Sequence, residues 1–566
     1  MMWQRAYIKK VILASVAVLV GLLGLWLYGR PAFRHYWEAR AVQQAKEFMA
    51  KADYRRASLS ARMALQVNGR NWEACRIIAE LADLSRSPQA LDWRRRLADL
   101  DPTVENKLML ASTALRLQGP PYPLAKQTLD ELAGPATNIA AYHALSAELA
   151  IKLRKPAEAA ADFEQASRLD PTNELYQLNL AVLRLQSTNE AVASIARATL
   201  QRLQANTNIG PVALRWLVAE CLRRDDLAGA ERFSRQLLAG PHPAPGDRLQ
   251  HLTVLRRSNS SEFNDYLSAV QKQVHTNAPE ICALSAWMIS QGFVDQALGW
   301  LTNCPSKVRT EQPVPLAITD CYVLKKEWGA LDSFLQEQKW ADGECLRFAF
   351  LSLAAAELKQ DLAAEAHWRT AVREAGDRLG PLTALLGLAS SWKREKAKED
   401  LLWRIAQRFP SQRWALGELD RSYQASGNTR GLNKLYSTMA DYDPRNFAAQ
   451  NNWAATCLLL NLNLPRAHEV AKEVFAQHPG DAIIASTYAY SLHLQGRTQE
   501  GLAVFENLKT NALETRTVAL YYGILLAAAG DTNKAGKYLG IAQQSDFLPE
   551  EKALVAEAMK QLRSGG

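Results

Sequence analysis

The chain has 566 residues, of which 48% are hydrophobic and 22% are charged, and its formal net charge is +9. This composition is that of a folded protein and excludes an intrinsically disordered chain, which would be poorer in apolar residues. The positive excess is slight for this length, and no basic run is interleaved with aromatic residues, so we expect no nucleic acid partner. Arg94, Arg95 and Arg96 occupy successive helix positions and are interpreted as a solvated face.

The N-terminus contains a long apolar stretch without a charged residue. Residues 1–10 form a short basic tail that ends in Lys9 and Lys10, and the nineteen residues 11–29 carry no charge. At about 1.5 Å per residue, a helix of this length spans roughly the 30 Å hydrocarbon layer of a bilayer. The sequence therefore predicts one transmembrane helix over residues 11–29, followed by a juxtamembrane linker over residues 30–37.

A cleavable signal peptide is the alternative interpretation of this segment. The apolar core of a signal peptide is shorter, about 7–15 residues, and ends at a small-x-small cleavage site. Here the apolar core ends in WLYGRPAFRHYW, which offers a poor cleavage site, so an uncleaved anchor is favoured. Basic residues on the two sides nearly balance and leave the orientation open. We expect a single-pass protein of the inner (cytoplasmic) membrane, with the remainder of the chain on the periplasmic side.

The stretch KPAEAAADFEQASRLDPTN, residues 155–173, has the pattern of a helix that packs closely on another helix. Ala159, Phe163 and Ala166 fall on one face, and the helix ends before Pro171. Small residues at fixed positions are needed where two helix backbones approach each other. The spacing therefore predicts a paired helix and raises the question of whether the pattern recurs.

The pattern recurs with a period of 34 residues. In a frame that starts at Ala140, small residues occupy positions 8, 20 and 27, an aromatic residue position 24, and proline position 32. Frames that start at Ala448, Ala482 and Arg516, each 34 residues after the one before, repeat much of it. Residues 210–338 keep the helical periodicity without a clear frame.

This pattern resembles the tetratricopeptide repeat (TPR) family. The resemblance implies an all-α fold, a right-handed superhelical solenoid of antiparallel helix pairs. The chain beyond the anchor has room for roughly fifteen pairs of 34 residues. We expect an N-terminal array over residues 38–239, a loop rich in proline and glycine over 240–247, a C-terminal array over 248–549, and a capping helix and tail over 550–566.

The resemblance also implies a binding surface, because in this family the first helix of each pair lines the concave side of the superhelix. In the C-terminal frames, the positions that point into it form a polar and aromatic strip. Such side chains hold an extended peptide by hydrogen bonds and aromatic contact, while packing between repeats is the alternative interpretation. The strip consists of Asn452, Trp453, Thr456, Ser486, Tyr490, His493 and Tyr521.

No motif for catalysis, cofactor binding or metal binding accompanies the repeats. The sequence contains no G-x-x-x-x-G-K loop, no G-x-G-x-x-G, no H-E-x-x-H and no G-x-S-x-G motif. The seven cysteines are scattered without a C-x-x-C pair, and free thiols are favoured over a disulfide between Cys282 and Cys304. We therefore expect no enzyme activity, no cofactor and no metal site.

Taken together, the sequence predicts a non-catalytic, membrane-anchored scaffold. It would assemble complexes by binding extended segments of other proteins in the concave groove. One alternative is a component of the machinery for cell-envelope assembly or exopolysaccharide secretion, in which anchored arrays of this outline bridge a membrane complex to periplasmic partners. A second alternative, an enzyme with a cryptic site, has no supporting residue cluster.

Overall fold

The structure is a computed structural model that describes residues 30–543 and 547–564, and the regular structure in these ranges is helical. The transmembrane helix expected over residues 11–29 lies outside the described residues. Among the helices of the described ranges, none combines the length and the apolar character that a membrane span requires. The chain divides into two compact units, Met1–Gln273 and Val274–Gly566.

The first unit consists of seven consecutive helix pairs joined by short turns. Its helices are α1 (Arg30–Ala50), α2 (Tyr54–Val67), α3 (Trp72–Leu84), α4 (Ala90–Leu100), α5 (Val104–Leu117), α6 (Pro123–Leu132), α7 (Ala140–Lys152), α8 (Pro156–Leu169), α9 (Glu174–Arg184), α10 (Glu190–Leu203), α11 (Gly210–Arg223), α12 (Leu227–Leu238), α13 (Pro245–Arg257) and α14 (Phe263–Val274). Each of the first six pairs packs along its length and against the pair that follows, and in the seventh the His251 ring contacts the Tyr266 ring, with centroids 4.8 Å apart.

The second unit consists of eight further pairs, two short connecting helices and a terminal helix. Its helices are α15 (Ala278–Ser290), α16 (Val294–Thr302), α17 (Ser306–Arg309), α18 (Val314–Lys325), α19 (Trp328–Gln336), α20 (Glu344–Glu357), α21 (Asp361–Ala375), α22 (Leu379–Ser391), α23 (Glu395–Arg408), α24 (Trp414–Ser426), α25 (Thr429–Tyr442), α26 (Phe447–Leu460), α27 (Leu464–Gln477), α28 (Ala482–Leu494), α29 (Thr498–Glu506), α30 (Thr510–Leu513), α31 (Arg516–Ala528), α32 (Thr532–Gln543) and α33 (Pro549–Ser564). One turn of 3₁₀ helix, Ala341–Gly343, precedes α20.

The helix starts confirm the predicted repeat frame. Helix α7 begins at Ala140, α28 at Ala482 and α31 at Arg516, which are the predicted first positions of three units. Helix α26 begins at Phe447, one residue before the predicted start. The pairs of the described residues are therefore TPR-like in length and spacing, and they number the fifteen for which the sequence has room.

The small residues of the repeat lie where two helices meet. In the pair α7 and α8, Ala147, Ala159 and Ala166 have no exposed surface, and Phe163 is buried beside them. Gly501 shows why small side chains are needed, since a Cβ added there would lie 2.8 Å from the carbonyl oxygen of the preceding helix. Helix contacts in both units thus follow from residue size at fixed positions.

The segment at 240–247 is shorter as a loop than the sequence predicts. Helix α13 begins at Pro245, because proline is suited to the first position of a helix, where no hydrogen bond from its nitrogen is needed. Asp247 then accepts a hydrogen bond from the Ala244 backbone N–H, 2.8 Å away, and closes the first turn. The boundary between the two units follows Gln273 instead.

Two other expectations have clear outcomes. The interpretation of Arg94 as part of a solvated face was wrong, because its guanidinium is buried and lies 2.8 Å from the Asp83 carboxylate of the preceding helix. Arg95 and Arg96 are exposed, as expected. All seven cysteines, including the Cys282 and Cys304 pair, are free thiols, which confirms the favoured interpretation.

Candidate protein-binding groove

The predicted binding strip lies in the second unit, on the first helices of three consecutive pairs. Helices α26, α28 and α31 lie side by side in that order. A cavity of about 280 Å³ opens on this row, and we call it the C-terminal groove. It is lined by Gln424, Leu432, Tyr436, Asn451, Asn452, Ala455, Thr456, Leu459, Ile483, Thr487, Thr517, Tyr521, Phe547, Leu548 and Glu551.

Three residues of the predicted strip line this groove. Asn452 is half-buried on α26, and Thr456 lies one turn further along the same helix. The Thr456 hydroxyl donates to the Asn452 carbonyl oxygen at 2.8 Å and accepts from the Asn433 amide at 3.0 Å. Tyr521 is buried on α31, and its hydroxyl donates to the Glu551 carboxylate at 3.2 Å.

Two other predicted residues of α28 are packing residues. Ser486 has no exposed surface, and its hydroxyl donates to the Ile483 carbonyl oxygen at 2.7 Å. Tyr490 is 4% exposed, with its ring centroid 4.8 Å from that of Tyr521. Burial raises the pKa of Tyr490 to about 12. Neither residue is part of the groove lining.

The last two predicted residues are half-buried away from the lining. Trp453 packs against apolar clusters of the second unit, between α26 and its neighbours. His493 lies near the end of α28, with its Nδ1 atom 3.0 Å from the Thr498 hydroxyl. Burial lowers the pKa of His493. A role of these two side chains in binding remains a prediction.

The repeat frame explains which residues line the groove. In the frames that start at Ala482 and Arg516, positions 2 and 6 line the cavity, and these are Ile483 and Thr487 on α28 and Thr517 and Tyr521 on α31. Positions 5 and 9 of α28 instead turn toward neighbouring helices. Ile483, Thr487 and Thr517 were not among the predicted residues, although they occupy positions 2 and 6 of these frames.

The early start of α26 accounts for a further difference. Since the helix begins at Phe447, the buried small residue of this pair is Ala454, which has no exposed surface, and not Ala455. Ala455 lines the groove between Asn452 and Thr456. A shift of one residue rotates a helix by about 100° and changes which side chains face the groove.

The tyrosine hydroxyls of the groove are neutral hydrogen-bonding groups, and Glu551 is the carboxylate in its lining. Burial raises the pKa of Tyr436 above its ordinary value, and the hydrogen bond that its hydroxyl donates to Asp420 at 2.7 Å raises it further. Burial likewise raises the pKa of Tyr521, with Glu551 adding to the rise. Both phenols therefore keep their protons at neutral pH and act as donors. The groove also has an apolar edge, because Ile483 is 47% exposed.

One wall of the groove comes from the C-terminal segment, which we define as residues 547–551. Pro549 is the first residue of α33, and the Leu548 backbone N–H donates to the Glu551 carboxylate at 3.0 Å. The Thr429 hydroxyl, on α25, donates to the Glu550 carboxylate. The sequence predicts a capping helix from residue 550, and the structure confirms a helix there. The contacts of its first turn with the groove were not predicted.

The first unit has a second, more apolar cavity. It measures about 610 Å³ and lies on or beside the first helices α5, α7 and α9. Met109, one of its lining residues, is 46% exposed. Across the described residues of both units, no group of three or more His, Cys, Asp or Glu side chains is placed to hold a metal ion.

The fold defines a helical-repeat protein of TPR-like pairs, with an open groove on the first helices of three of them. No family model matches the chain, and no curated protein matches it. Among solved structures, PilF of Pseudomonas aeruginosa is 16% identical with a TM-score of 0.32, and the match covers 39% of this chain and 98% of that chain.

Two further solved structures show a similar level of likeness. The Cut9–Hcn1 hetero-tetramer of the APC/C is 12% identical with a TM-score of 0.30, and the match covers 80% of this chain and 96% of that chain. PilW, a type IV pilus biogenesis factor, is 20% identical with a TM-score of 0.24, and the match covers 43% of this chain and 94% of that chain. At these TM-scores, the fold assignment depends on the helix pairs themselves.

Proposed function

We propose that this protein is a non-catalytic, membrane-anchored scaffold that binds other proteins through the C-terminal groove and thereby assembles a complex. The observation that carries the proposal is the groove itself, an open cavity on three consecutive first helices with hydrogen-bonding groups beside exposed apolar surface. Amide and hydroxyl groups such as Asn452 and Thr517, which are half-buried in the lining, suit the backbone of an extended segment, and Ile483 suits an apolar side chain.

The anchor is part of the same proposal and is supported by the sequence. Residues 11–29 carry no charge and follow Lys9 and Lys10, which suits a span held in the inner membrane with a short tail inside. The repeats would then stand on the periplasmic side. Protease added to intact spheroplasts digests the repeats in this arrangement, whereas full protection would place them in the cytoplasm.

Site-specific photo-crosslinking in native membranes tests the groove. The photoreactive amino acid replaces Ile483, which lines the groove and has a side chain that is 47% exposed. Leu494 is the matched control, since it lies on the same helix, is also apolar, is 40% exposed and is outside the lining. We expect a defined set of adducts from position 483 and none of these from position 494.

The identity of the crosslinked proteins separates the candidate functions. Components of one complex would support a general scaffold, and polymer-export proteins would assign the chain to envelope assembly or exopolysaccharide secretion. Equal adducts from positions 483 and 494, or none from either, would contradict binding through the C-terminal groove. A purified chain that converts a small molecule would revive the enzyme alternative.

A further inference from the structure

The C-terminal segment occupies part of the C-terminal groove and bridges two separate apolar clusters. Phe547 packs against the cluster built from α26 to α33, and Leu548 packs against the cluster built from α20 to α25. Two adjacent side chains thus contact two different clusters. A segment that only continued the last helix pair would contact one of these clusters.

The next two residues extend this contact to helices far away in the sequence. Pro549 packs on the turn between α24 and α25, where a Cβ added to Gly427 would lie 3.1 Å from the proline Cδ atom. The Thr429 hydroxyl donates to Glu550, across a sequence separation of 121 residues. Because Thr429 is itself buried, this hydrogen bond is part of a formed site and not a surface contact.

Glu551 lowers the stability of the docked C-terminal segment. Its side chain is 8% exposed, and the two hydrogen bonds it accepts come from neutral donors, the Tyr521 hydroxyl and the Leu548 N–H. Burial raises the pKa of Glu551, and these two hydrogen bonds oppose the rise. A carboxylate that is buried against neutral donors disfavours the docked state at neutral pH.

The remainder of α33 has its own attachment. Val555 and Ala558, one and two turns beyond Glu551, are buried against the last helix pair. The first turn of a helix can open while later turns stay packed, since helix ends have the lowest local stability. The segment can therefore leave the groove without loss of the cap that α33 places on the array.

We propose that the C-terminal segment is an internal occupant of the groove, and that the partner carries a segment of the same kind that binds in its place. That partner segment has an aromatic and aliphatic pair followed by the acidic first turn of a helix. This inference rests on the proposed function, because it names the chemistry of the partner that the groove binds. It also makes the free groove a minor state, whose population sets the apparent affinity.

Competition with a peptide tests the proposal on the full-length chain. The probe is a fluorescent peptide of residues 547–553, FLPEEKA, blocked at both ends, and its anisotropy reports binding. In the release variant, Phe547→Ala with Leu548→Ala, the internal segment loses both apolar anchors, while the lining residues on α24, α25, α26, α28 and α31 are unchanged. If the segment is docked in about 90% of wild-type molecules, the probe binds the release variant about tenfold more tightly than the wild type.

Three controls define the specificity. A probe with both apolar residues replaced by Ala should lose binding to the release variant. Adding Thr429→Val to the release variant should weaken binding of the intact probe, since the hydroxyl that meets Glu550 is removed. Glu551→Gln in an otherwise wild-type chain should make the probe bind more weakly than it binds the wild type, because removal of the buried charge stabilises the docked segment, which excludes the probe.

The outcomes distinguish this inference from the proposed function. Equal affinity of the probe for wild type and release variant, with unchanged helix content and melting, would overturn the internal occupant. If the release variant does not fold, tighter binding of the probe to Glu551→Gln than to wild type would overturn it as well. If position 483 gives crosslinks but the peptide probe does not bind the release variant more tightly than the wild type, the proposed scaffold function is supported and the internal occupant is refuted. If the probe shows this difference but position 483 gives no crosslinks, the internal occupant is supported and partner binding through the groove is refuted.

Discussion

Tyr490 and Asn452 were predicted together as groove residues, and the structure gives them different expected roles. Tyr490 is 4% exposed and its ring packs against that of Tyr521, so Tyr490→Ala removes a buried ring from the core between α28 and α31. Truncation of a buried aromatic residue costs about 3–5 kcal/mol of the free energy of unfolding. Asn452 is half-buried at the cavity, and Asn452→Ala should cost less than about 1 kcal/mol.

Urea unfolding followed by circular dichroism measures the cost, and hydrogen exchange measures where it falls. Protection should fall most in α28 and α31 and little in the first unit, because helix-repeat stability depends on nearest neighbours. Tyr490→Phe is the control, since it keeps the ring. If Tyr490→Ala leaves stability unchanged within about 0.5 kcal/mol and abolishes partner capture, the ring is a binding residue and the packing argument fails.

Three further predictions concern the fold, the segment and the anchor. Gly501→Ala should destabilise the protein, because the added methyl group would clash with a backbone carbonyl group. Gly536 is exposed with open space around it, so Gly536→Ala should stabilise the protein by about 1 kcal/mol. If urea unfolding gives the reverse order of stability, close packing at Gly501 is refuted. Docking of the C-terminal segment should strengthen as pH falls, because a raised pKa of Glu551 favours the docked state below that pKa and this gain is lost above it. The probe should therefore bind the wild type more weakly at about pH 5 than at about pH 7.5, when each value is compared with that of the release variant at the same pH. Glu551→Gln should remove this difference, since among the described residues the other titratable groups that act on Glu551 are Glu550 and the Tyr521 phenol. Mass spectrometry of the mature protein should find residues 11–29 retained, and a mature N-terminus between residues 29 and 41 would show a cleaved signal peptide.

The helix pairs could be predicted from sequence because the contacts that define them are local. The two helices of a pair are neighbours in the sequence and meet through small residues at fixed positions, such as Ala147 and Ala159. The spacing of those residues can be read from the sequence without a structure. The same reasoning placed the first helices at Ala140, Ala482 and Arg516. It was less reliable at α26, where the frame is shifted by one residue and the facing side chains change with it.

The composition of the groove could not be predicted in the same way. Which face of a first helix is open depends on the helices that pack beside it, and the period alone does not distinguish Ser486, which is buried, from Ile483, which is exposed. The wall made by the C-terminal segment depends on a contact between Thr429 and Glu550 across 121 residues. No repeat pattern encodes such a contact, because it joins a repeat to a segment outside the array.

The choice of residue at position 551 favours a releasable segment over a permanent cap. Glutamate and glutamine both occur at the third position of a helix, where the side chain reaches back to the residue before the first turn. Either one can accept the hydrogen bond from Tyr521, but only glutamate brings a charge into a site that is 8% exposed. That charge lowers the stability of the docked segment at neutral pH. A cap that served stability alone would be more stable with glutamine at this position. A segment that a partner must displace has to bind the groove weakly enough to be released, and glutamate provides this.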